Sequence, residues 1–194
     1  MSRLQNLLDE IKELEDRVAK EINHEAEQLG YRVKRGRVYF ENEIARRHKE
    51  MAKSLRQYLA ESRWTVILTA PIVYSMLPPL ILLDIFISLY QWICFPIYSI
   101  PEVRRAEYII LDRHRLKYLN VIEKMHCAYC SYANGFIAYA QEIAARTEQY
   151  WCPIKHAESA KTTHSCYYHF LSYGDAEGYT SKLKELRKKY DDLE

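Results

Sequence analysis

WTVILTAPIVYSMLPPLILLDIFISLYQWICFPIYSIP, residues Trp64 to Pro101, contains a single charged side chain, Asp84. A bilayer span needs roughly 20 consecutive apolar residues, whereas runs of about 10–14 more often belong to soluble cores. This run is long enough to enter a membrane, and its reading decides the fold. The mean hydropathy of the whole chain is nonetheless negative, because the flanks are densely charged. The beginning, MSRLQNLLDEIKELEDR, places acids where the apolar core of a signal peptide would lie, so no signal peptide is expected.

Pro78 and Pro79 remove two helical amide donors and divide the run into Trp64–Leu77 and Leu80–Ile100. At 1.5 Å per residue these pieces are roughly 20 Å and 30 Å long, the first too short to cross alone. Lys53, Arg56 and Arg63 precede the run, and Arg104, Arg105, Arg113 and Arg115 follow it. Positive charge on both sides favours both flanks on the cytoplasmic side of an inner membrane. The expectation is a helical hairpin or re-entrant pair with the prolines near its tip, a single kinked span being the alternative. Asp84 is then either close to water at a shallow turn or partnered inside an assembly.

Scarce Gly and Pro and long helical periodicity make the chain mainly α, in three parts: 1–63, the membrane segment 64–101, and a C-terminal cytoplasmic helical domain over 102–194. Leu4, Leu7, Leu8, Ile11, Leu14, Val18 and Ile22 form a coiled-coil-like stripe that stops at Gly30. Such a stripe suits a homo-oligomer or a protein partner. YRVKRGRVYF reads as a short basic hairpin turning at Arg35-Gly36 or as a charged connector; the connector reading is preferred to attraction by anionic headgroups, and that to an RNA-contacting ribbon. Residues 41–63 read as one helix leading to the membrane. Beyond it, Leu116, Leu119, Ile122 and Met125 mark a helix into Cys127. Asn134-Gly135 opens the next, and Asp175 caps the last.

The 28 basic and 26 acidic residues leave a net charge of +2, so nucleic acid is not an expected partner, while membrane lipid is. Seventeen tyrosines suit half-buried faces and lipid–water boundaries. Glu142, Arg146 and Glu148 read as helix-surface charges. No catalytic constellation emerges.

Five cysteines remain, of which Cys94 reads as apolar filler within the membrane run. In a reducing compartment, the Cys-x-x-Cys of Cys127 and Cys130 with the Cys-x-x-x-His of Cys152 and His156 suits tetrahedral zinc, or alternatively iron or an iron–sulfur centre. Packing as small hydrophobes and redox thiols are the competing readings. Geometry constrains the metal reading: a straight helix over 136–151 separates its ends by about 24 Å, more than the five residues after Cys130 can span at about 17 Å. A four-ligand site thus needs a broken helix, a second chain, or His164, Cys166 or His169 as substitutes.

NGFIAYAQEIAARTEQYWCPIKHA (134–157) with YGDAEGY (173–179) resembles an uncharacterised family of small bacterial membrane-associated proteins. The resemblance covers mainly the C-terminal third, implies a bacterial source and supplies no activity. Two functional expectations follow from the residues. One is a membrane-anchored accessory or interaction protein with a structural Cys/His metal site, and the other is a membrane-bound redox or metal-handling protein using the same side chains.

Overall fold

The computed structural model describes residues 3–34 and 37–190. The chain is mainly helical, and it divides into two compact units, 1–61 with 112–125 and 62–111 with 126–194.

In the first unit, α1 (Arg3–Gln28) ends where Gly30 takes a left-handed φ of 64°, a conformation glycine adopts without Cβ strain. Strands β1 (Tyr31–Lys34) and β2 (Arg37–Phe40) pair antiparallel, with Tyr31 opposite Phe40. The expected turn at Arg35-Gly36 lies outside the described residues, as do the side chains of Leu4 and Leu8. Leu7, Ile11, Leu14, Val18 and Ile22 all stay exposed. The single helix expected over 41–63 is two, α2 (Asn42–Glu50) and α3 (Leu55–Glu61), separated by irregular chain from Met51 to Ser54. An aromatic row from Tyr31 through Phe40 and His48 to Tyr118 ties the hairpin to α2 and to the 112–118 segment.

In the second unit, α4 (Trp64–Tyr74) and α5 (Leu77–Tyr98) carry the apolar run, and it is long and apolar enough to span a membrane. The residues between them, Ser75 and Met76, both keep right-handed helical dihedrals. Pro78 and Pro79 fall in the first turn of α5, where their missing amide hydrogens would be unpaired anyway. Trp64–Tyr98 thus runs on as one helical stretch of 35 residues with no reversing tip, which departs from the expected hairpin. α5 ends at Ser99, whose φ of 57° is left-handed without being glycine.

An irregular connector, with one short helix α6 (Arg105–Tyr108), runs back along α5. It leads into α7 (Val121–Trp151), 31 residues without a break. Asn120 and Glu123 start α7 with reciprocal bonds, each side chain accepting from the other's backbone N–H at 3.0 and 2.9 Å. Leu116 and Leu119, expected on that helix, precede it. α7 lies parallel to α5: Tyr132 meets Asp84, Tyr139 meets Gln91, and Tyr150 stacks on Tyr98. Phe95, Ile100, Val103, Phe136, Tyr139, Ile143 and Tyr190 form the core between them. Beyond α7, Ile154 bridges to Leu171, and Asp175 caps α8 (Ala176–Leu186) by accepting from the Gly178 N–H at 2.8 Å.

Candidate functional site: the apolar helix and its polar seam

The thiols do not converge. Because α7 continues through Asn134-Gly135, Cys127 and Cys152 stand at opposite ends of one helix, about 37 Å apart by helical rise. The returning segment does not close the gap. His164 binds the Glu148 carboxylate at 3.1 Å, about 27 Å along α7 from Cys130, and Cys166 is fully buried with Ala145 and Phe170, about 22 Å along α7 from Cys130. His156 stacks on Tyr167 and His126 on Tyr74. Among the described residues no three His, Cys, Asp or Glu side chains come together as metal ligands. The functions built on Cys127, Cys130, Cys152 and His156 are therefore corrected, whether as a structural zinc site or as an iron or redox centre. The physical reason is helix continuity: Gly135 does not break α7 but makes room. A Cβ there would sit 2.5 Å from the Tyr108 carbonyl oxygen and 2.9 Å from Ile109 Cα.

The structure instead brings polar groups together along the seam between α5, the connector and α7. Asp84, 7% exposed, receives a two-pronged contact from Arg105, Nη2 at 2.7 Å and Nε at 3.3 Å. Tyr132 donates to the same carboxylate at 2.9 Å and Ser88 at 3.2 Å. The carboxylate holds the Arg105 pKa above its ordinary value. One turn pair further on, the Gln91 amide clamps the connector backbone. Its oxygen accepts from the Val103 N–H at 2.9 Å, and its nitrogen donates to the Val103 carbonyl at 3.2 Å. Tyr90 and Thr147 hydroxyls meet at 3.1 Å.

A second polar node closes the far end. Arg146, 6% exposed, pairs with Glu142 at 2.9 Å and donates to the Pro101 carbonyl at 2.9 Å. Ser165 donates to the other Glu142 oxygen at 2.7 Å, and Tyr190 donates to the Arg146 carbonyl at 3.2 Å. Burial pushes the Cys166 thiol up to about 11 and raises the Tyr190 phenol as well. Burial also raises Tyr108, with the Glu142 charge adding to it. Apart from the Glu142–Arg146 pair within α7, these bonds join segments distant in sequence, so the arrangement acts as a clamp. The i,i+4 spacing of Glu142 and Arg146 was its visible signal. That the pair is buried depends on the connector, which carries no periodicity of its own.

The seam leaves α5 polar inside and apolar outside. Asp84, Gln91 and Phe95 face inward, while Leu82 (57%), Phe86 (60%), Trp92 (70%) and Ile97 (71%) are exposed with Leu89 and Ile93. At 100° per residue, Leu82, Phe86, Leu89 and Ile93 lie within about 40° of the direction opposite Asp84. The connector occupies the Asp84–Gln91 side and exposes the Arg104–Glu107 ion pair. No protein-family model, curated protein or solved structure matches the chain.

Proposed function

We propose that the chain is a one-sided membrane protein. α4 and α5 lie in the acyl region of one leaflet by their outward face, and the connector, α8 and the N-terminal unit remain on the aqueous side. The observation that carries this reading is the inverted polarity of α5. In water a helix with a carboxylate and an amide inside and Leu82, Phe86, Leu89, Trp92 and Ile93 outside is the wrong way round. Taking each such side chain out of water stabilises by roughly 1.5–3 kcal/mol. In lipid the same distribution is the favourable one, because the polar groups are paired inside.

One-sided seating is preferred to a span because a charged connector, irregular over 101–104 and then helical in α6, runs beside α5. Irregular backbone and an exposed Arg104–Glu107 pair are not tolerated against acyl chains. One-sided seating also keeps both flanks in the same compartment, as the cations on either side favour, and is compatible with the cytoplasmic face of an inner membrane. The exposed stripe from Leu7 to Ile22 supports contact with a second helix, either another copy or a partner protein.

Flotation with phosphatidylcholine vesicles tests the seating. The wild-type chain floats, and Leu82→Lys with Phe86→Lys abolishes flotation while the same chain stays folded in detergent. Sidedness is read by labelling sealed vesicles with an impermeant maleimide. Cys152 and a cysteine placed by Lys12→Cys should react from the same side. Reaction from opposite sides would establish a span and sink the one-sided reading.

A further inference from the structure

Three helices end at one corner of the second unit: α5 at Tyr98, α7 at Trp151 and α8 at Leu186. Their ends are fastened together. Gln149 donates to the Leu186 carbonyl at 3.1 Å and also to that of Lys189, and Arg187 Nε donates to the Tyr150 carbonyl at 2.8 Å. Tyr98, Tyr150 and Trp151 contact one another at 4.9–5.4 Å between ring centres. Beside them opens a cleft of about 840 Å³ walled by Ile97, Tyr98, Tyr150, Lys184, Arg187 and Lys188.

Two properties of this cleft point to its occupant. Its walls carry three cations and, among the described residues, no carboxylate. The Arg187 guanidinium rests over the Tyr150 ring at 5.4 Å, whereas Lys184 and Lys188 have no acidic partner among the described residues. The cleft is also continuous with the outward apolar face of α5, since its wall residue Ile97 shares that face with Ile93. Apolar surface, an aromatic rim and lysines succeed one another in the order acyl chain, interface and headgroup.

We infer that this cleft holds the headgroup phosphate of an anionic glycerophospholipid, with Lys184 and Lys188 as its countercharges and an acyl chain along Ile97 and Ile93. The inference rests on the one-sided membrane reading and adds the class of lipid and its place. A plainer role for the lysines is to offset the partial negative charge of the helix C-termini, and the experiment separates the two.

The full-length protein is floated with phosphatidylcholine vesicles and with vesicles in which a quarter of the lipid is phosphatidylglycerol. Wild type is expected to prefer the anionic vesicles. Lys184→Gln with Lys188→Gln should reduce that preference by up to about fivefold per lysine. A charge-matched control, Lys161→Gln with Lys182→Gln, should retain it. Equal loss in both variants would mean diffuse attraction and overturn the inference. So would an unchanged preference with a lowered Tm, the result expected if the lysines serve the helix ends alone. Abolition of the preference by millimolar inorganic phosphate would assign the cleft to the free anion and also overturn it. Flotation on both vesicles without preference removes this inference only. Flotation on anionic vesicles alone supports the cleft and removes the inserted helix, and flotation on neither removes both.

Discussion

At the scale of single residues, burial separates cysteines that look alike in the sequence. Cys130 and Cys152 are exposed, while Cys166 is fully buried with its thiol pushed up to about 11. Thiolate is the reactive form. In mildly alkaline buffer, mass spectrometry should find maleimide on Cys130 and Cys152 and none on Cys166 until the protein is unfolded. Replacing Cys130 and Cys152 with Ser should move stability by no more than about 0.5 kcal/mol, as for ordinary surface positions. The raised thiol also gives a pH dependence. The folded state keeps a proton that the unfolded chain, with its ordinary value of 9.0, releases first. The associated stability is fully present below about 9 and is lost as pH rises towards about 11. Tyr190 is raised in the same direction and extends the loss to higher pH. Tm should therefore fall across this range, and Cys166→Ala should flatten the early part of the fall.

At the scale of elements, α5 and α7 are held by a few polar contacts whose removal has a definite sign. Asp84→Ala strands the Tyr132 hydroxyl and the Arg105 fork. Because Arg105 is 48% exposed, the loss should be about 2 kcal/mol, less than for a fully buried pair, read by thermal melting in detergent. Gly135→Ala is more discriminating. In an open helix that change stabilises by up to about 1 kcal/mol. Here the new methyl meets the Tyr108 carbonyl and Ile109 backbone, so destabilisation by about 1–3 kcal/mol is expected.

Gly135 also explains what the sequence concealed. Asn134-Gly135 has the composition of a helix boundary, yet its role comes from the connector passing close by, a contact no local pattern encodes. Buried Glu142 and Arg146 were hidden for the same reason, their partners being the Pro101 carbonyl and Ser165. Features set by neighbouring residues were legible: the stop at Gly30, the β1–β2 pair, the Asp175 cap and the apolar run. The Asn120–Glu123 capping box is a signal of that local kind and would have set the start of α7.

At the scale of the whole molecule, the two units distribute polarity differently. The first unit exposes charge together with an apolar stripe on α1, and the second exposes apolar side chains while pairing its polar ones. The parallel run of α5 and α7 has a consequence for how the protein comes into being. Asp84 leaves the ribosome 21 residues ahead of Arg105 and 48 residues ahead of Tyr132. At about 5–20 residues per second, the carboxylate waits roughly 2–10 s for its full set of partners. During that interval the apolar helix is already outside the ribosome with an unmatched charge on its inner side. If the helix is seated in lipid as proposed above, its delivery is coupled to the translation of α7, and a pause between the two stretches of message would lengthen the aggregation-prone stage without altering a single contact of the finished protein.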